Sequence, residues 1–153
     1  MTRQTEIPSA IHPPAGTELV LQAHASGVQI YVCQDGADGK PGWTLKALEA
    51  TLYDEQDHQI GRHYAGPTWK HNDGSEITAK VAARVNAPDA TAIPWLLLRV
   101  IGHSGSGIFS RITAIQRVQT VGGQPPSVGC DAAARGTEAR SEYEAEYYFY
   151  ANT

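Results

Sequence analysis

Glu76-Ile77-Thr78-Ala79-Lys80-Val81-Ala82-Ala83-Arg84-Val85-Asn86 carries the clearest structural signal in the chain. Ile77, Ala79, Val81, Ala83 and Val85 fall on one side, while Glu76, Thr78, Lys80, Arg84 and Asn86 fall mostly on the other. Successive side chains of a strand point to opposite faces, so this pattern is a half-buried antiparallel strand. Asn72-Asp73-Gly74 before it is a tight-turn signal. Pro94 to Ile101 is apolar on both faces and reads as a central strand. At the C-terminus Tyr143, Ala145, Tyr147 and Phe149 share a face opposite Glu142, Glu144 and Glu146.

Weaker segments complete the pattern. Glu18 to Ala25 alternates, Gly27 is expected to turn the chain, and Val28, Ile30 and Val32 then alternate against Gln29, Tyr31 and Cys33, giving a hairpin. Residues 34–42 read as a long polar turn. Trp43 to Tyr53 fits a strand with a phase change, although Leu45, Leu48 and Leu52 also suit a helix face. Between Ile112 and Ile115 the apolar phase shifts, as a bulge would shift it. Eight or nine short strands of this kind make an all-β, antiparallel barrel or sandwich with little helix. The 153 residues suit one domain, with an irregular lead-in over 1–16 and the β domain over 17–153.

Composition excludes several functions. Twelve basic against sixteen acidic side chains leave a net charge of −4, with the basic residues scattered, which argues against nucleic acid or an anionic membrane as partner. No stretch approaches the ~18–20 apolar residues of a membrane-spanning helix. Met1 to Glu6 lacks the apolar h-region of a signal peptide, so the protein is either cytoplasmic or has lost a leader. Cys33 and Cys130 read as a disulfide in a secreted chain and as two buried thiols in a cytosolic one.

Familiar motifs fail on spacing. Gly102 to Gly107 meets neither the nucleophile elbow nor the dinucleotide fingerprint, and reads as a hairpin loop in which His103 and Ser104 are a weak pair. Asp35 to Gly39 lacks the spacing of a calcium loop and reads as turn chemistry. Glu142, Glu144 and Glu146 offer three carboxylates on one face, more in keeping with a solvated strand than with a cation site. Six histidines form no H-x-H or H-x-x-x-H pair, so a metal site would have to be assembled across strands; no metal is expected, and no cofactor.

The candidate site is the cluster over 61–75, GRHYAGPTWKHNDGS. It gathers His63, Tyr64, Trp69, Lys70, His71 and Asp73 around a Gly-Pro break. Exposed aromatics beside hydrogen-bonding groups suit a small-molecule or sugar site, since rings give apolar contact and polar groups fix orientation. His63, Tyr64, Trp69, Lys70 and Asp73 are the expected ligand-binding residues, with Trp69 partly exposed. The alternative is a rigid corner in which Trp69 plugs the barrel and His63 bonds to backbone.

Several segments taken together resemble one family: Gly27 to Cys33, His63 to Trp69, Asp73-Gly74-Ser75, Pro94 to Leu98, Gly107-Ile108-Phe109, Ile115 to Val118, Gly122-Gly123, Gly129-Cys130-Asp131 and Tyr147 to Tyr150. The set is similar to the domain-of-unknown-function 3455 family of bacterial and fungal proteins, from about residue 12 to residue 150. The resemblance implies a mostly secreted or periplasmic β protein whose cysteines pair as Cys33–Cys130, and it supplies no catalytic residues. The expected function is therefore non-enzymatic binding of a small molecule or glycan outside the cytoplasm. An enzyme of unrecognised type, with His63 as general base beside Lys70 or Asp73, is the alternative.

Overall fold

The expected strands close into a ring. In the computed structural model, which describes residues 7–153, they are β1 (Thr17–Asp35), β2 (Pro41–Tyr53), β3 (Gln59–Tyr64), β4 (Thr68–His71), β5 (Glu76–Val85), β6 (Trp95–Ser104), β7 (Ile112–Gly122) and β8 (Glu138–Asn152). Each pairs antiparallel with the next, and β8 returns to β1, so the architecture is a closed eight-stranded barrel. Closure leaves no unpaired strand edge. Helix among the described residues is confined to 3-10 turns at Ser9–Ile11, Ile108–Arg111 and Ala132–Ala134. None is long and apolar enough to cross a membrane. Of the irregular lead-in expected over 1–16, the first six residues lie outside the described ones.

Two phase changes fall where the sequence places them. Ile30 pairs with Ala47 and Tyr31 with Leu45, leaving Lys46 as an extra residue in β2. Ile112 pairs with Ala151 and Ala114 with Tyr150, leaving Thr113 extra in β7, so Ile112 and Ile115 both reach the interior. Such bulges let one strand change its inward phase.

Three expectations need correction. Gly27 does not turn the chain: β1 is continuous, and Gly27 lies across from Ala50 on one side and Tyr143 on the other. A Cβ there would stand 2.0 Å from the Glu49 carbonyl oxygen, so this glycine permits close strand approach. Alternation along β5 does not persist either, because its register shifts between Val81 and Ala83. Ile77 and Ala79 fill the interior, whereas Ala83 and Val85 pack outside. Finally, β6 is doubly buried only in its first half; Ile101 is 59% exposed.

Apolar side chains form two layers. The interior holds Trp69, Phe109, Tyr147, Phe149 and the smaller residues between them. Outside, Ile7 and Ile11 lie over Trp95, Ala114, Val118, Tyr148 and Tyr150, which explains why β6 to β8 carry apolar residues on both faces. Gln116 pins this cover by donating to the Ile11 carbonyl at 2.8 Å and accepting from the Tyr150 hydroxyl at 2.6 Å. Burying a side chain such as Ile11 contributes roughly 1.5–3 kcal/mol.

The two ends differ. At one end Phe109 enters the barrel and packs on Phe149 with ring centroids 4.8 Å apart. Asp73 anchors that plug: it accepts from the Ser75 hydroxyl at 2.6 Å and the Ile108 amide at 2.8 Å, while Ser75 Oγ accepts from the Phe109 amide at 3.1 Å. At the other end the β7–β8 connection is joined to β1 by the Cys33–Cys130 disulfide, as expected. Backbone bonds between Cys33 and Gly136 and Thr137 hold it as well.

Candidate ligand-binding site

The strand period divides the 61–75 cluster. His63 and Trp69 sit across from each other on β3 and β4 and point inward. Tyr64 and Lys70, one residue further along each strand, take the opposite face. Tyr64 donates to Glu76 at 3.0 Å, and Lys70 is exposed. Asp73 lies beyond β4 in the plugged end. Only two of the five expected ligand-binding residues therefore share a cavity.

Trp69 is not partly exposed; it is 1% exposed. Its hairpin is paired on both sides, by β2 and by β5, so the indole is driven into the interior. His63 stacks on it with centroids 4.2 Å apart and planes 13° apart. Tyr147 and Phe149 meet its ring edge-on at 5.6 and 6.4 Å. His63 Nδ1 donates to the Thr68 carbonyl at 2.8 Å, as the rigid-corner alternative anticipates, which leaves Nε2 as an acceptor.

Beside this stack lies a cavity of about 290 Å³. His63, Trp69 and Tyr147 line it together with Gln29, Leu96, Leu98 and Arg117, and residues 45–48 and the cis Gly66-Pro67 turn lie toward its opening. Its size is at the small end of ligand pockets, roughly 300–1,000 Å³.

Two donors in the wall have no partner. Gln29 is 2% exposed, and neither its Nε2 nor Trp69 Nε1 finds an acceptor among the described residues. A buried donor left unmade costs about 1–3 kcal/mol. Arg117 reaches in from β7 next to Ile115; its Nε and Nη2 donate to the Pro94 carbonyl at 3.1 and 2.8 Å. No ion pair among the described residues involves it.

The remaining titratable groups of the interior are neutral. Burial, reinforced by the Arg117 charge, pushes His63 down to about 3 despite its bond to Thr68. Burial raises the Tyr143 and Tyr147 hydroxyls above their ordinary value, and the two lie 3.3 Å apart. Lys46 is paired with Glu138, and Arg84 is exposed near the opening. The half-buried Arg117, hydrogen-bonded to Tyr147, thus has no carboxylate partner among the described residues.

This arrangement does not assemble the enzymatic set considered from sequence. His63 has neither Lys70 nor Asp73 in its cavity, and a neutral imidazole with so low a pKa is a feeble base near pH 7. Elsewhere the histidines have structural partners: His103 bonds to the Ile112 carbonyl at 2.8 Å, and His24 bridges Glu144 and Glu146. No set of three His, Cys, Asp or Glu side chains suited to a metal occurs among the described residues.

Gln29, Arg117 and Tyr147 escape the sequence reading as site residues. The available signal was a basic residue sharing a phase with Ile115 inside an apolar strand. Among families, the model described as Protein of unknown function (DUF3455) matches residues 14–151. No curated protein and no solved structure matches the chain.

Proposed function

The chain belongs to the DUF3455 family of proteins of unknown function, and we propose that it is a non-enzymatic binding protein holding a small molecule inside its barrel. One observation carries this reading: the side chains of Gln29 and Trp69 line the same cavity, and their buried donors, Gln29 Nε2 and Trp69 Nε1, have no acceptor among the described residues. Buried polar groups are otherwise nearly always paired, and an unpaired one in a cavity wall suits a ligand acceptor. Leu96 and Leu98 supply apolar contact in the same cavity. A glycan suits the site less well, because His63 covers one face of the indole and no ring is open for a sugar to stack on.

Disulfides persist where conditions oxidise, so the Cys33–Cys130 bridge favours a protein that works outside the cytoplasm. Screening a library of small fragments against ¹⁵N-labelled protein tests the binding reading. Hits should move the Trp69 indole and Gln29 amide resonances together. Hits that perturb surface residues alone would refute it.

A further inference from the structure

We infer that the ligand is a small organic acid, bound as a monoanion with its carboxylate between Arg117, Gln29 and Trp69 and its hydrocarbon part against Leu96 and Leu98. This rests on the small-molecule reading above and specifies its chemistry. The cavity wall offers donors in excess: the Gln29 amide, the Trp69 indole and a guanidinium with five N–H groups, of which Pro94 engages two nitrogens and the Tyr147 hydroxyl takes a further bond. Against these stand three neutral side-chain acceptors, His63 Nε2, Gln29 Oε1 and the Tyr147 hydroxyl. No Asp or Glu lines the cavity. A cation would meet Arg117 with nothing to offset it, and a ligand rich in donors would leave them unpaired.

A carboxylate answers each of these features. Its two oxygens accept about four hydrogen bonds and match the guanidinium fork in two-point contact. Its charge offsets that of Arg117, the unpaired cation of the interior, while Lys46 already has Glu138 and the exposed Arg84 stands in solvent at the opening. Inorganic phosphate, with greater charge and no apolar part, would set polar oxygens against Leu96 and Leu98. The small volume restricts the hydrocarbon part to something near one ring.

Calorimetric titration of the wild-type protein with benzoate, benzyl alcohol and inorganic phosphate tests the inference, with the Trp69 indole resonance reporting occupancy of the cavity. Benzoate should bind at least tenfold more tightly than either of the others. Arg117→Met should weaken benzoate at least tenfold and leave benzyl alcohol within about threefold, with Arg117→Lys intermediate. If Arg117→Met fails to fold, the wild-type comparison decides alone. Benzyl alcohol binding as tightly as benzoate, or phosphate binding more tightly, would overturn the acid while leaving a small-molecule site standing. An indole unmoved by all three would overturn both.

Discussion

Replacing Gln29 by methionine separates a ligand contact from a structural one. Gln29 is 2% exposed, and its Nε2 has no acceptor among the described residues. Such a group costs about 1–3 kcal/mol. Methionine has nearly the same length, no donor to leave unpaired, and a flexible thioether that fits irregular space. Gln29→Met should therefore stabilise the ligand-free barrel by about 1 kcal/mol and raise Tm by about 2–4 °C. The same variant should bind benzoate several-fold more weakly. Thermal melting followed by circular dichroism, on protein refolded from denaturant with its disulfide intact, provides the comparison. A variant less stable than the wild type by 1 kcal/mol or more would place the amide in a structural network and remove the main support for the site.

Further outcomes follow from the same geometry. Trp69→Ala should cost about 3–5 kcal/mol, because the indole is fully buried among His63, Tyr147 and Phe149, and the loss is measurable as a lower urea midpoint. Converting both cysteines to serine should cost about 5 kcal/mol by the chain-entropy argument for a bridge spanning 97 residues, read from guanidinium unfolding. Although partial burial alone would raise Asp73, the Ser75 hydroxyl, the Ile108 and Ser75 amides and nearby His71 hold it down at about 2. A depressed carboxyl stabilises above its unfolded pKa, here 3.8, and that contribution is lost as pH falls from 3.8 toward about 2. Asp73→Asn should consequently be less stable than wild type at pH 7, with the difference shrinking by pH 2; a gap independent of pH would refute the link.

Strand positions were legible because alternation survives wherever one face of a strand is buried. The phase changes near Lys46 and Thr113 were legible too, since apolar spacing on either side differs by one residue. Gly27 was misleading: a glycine between two alternating runs looks the same whether it turns the chain or lets two strands approach. Read as a turn, Gly27 puts Val28, Ile30 and Val32 on the apolar phase and Gln29 on the polar one. In the barrel Gln29 faces the cavity, a polar residue inside a predominantly apolar wall. Lys70 and Asp73 misled for a different reason. Proximity in sequence does not survive a period of two followed by a turn, which sends Trp69 inward, Lys70 outward and Asp73 to the opposite end. His63 and Trp69, grouped from sequence only by proximity, pair across the short hairpin on its inward phase.

The most direct test of a ligand site inside this barrel is a crystal structure of the protein soaked with benzoate. The predicted result is density for the acid in the cavity beside the His63–Trp69 stack, its carboxylate within hydrogen-bond distance of Arg117, Gln29 Nε2 and Trp69 Nε1. A cavity closed by collapsed side chains, with those two donors bonded to protein acceptors, would contradict the account.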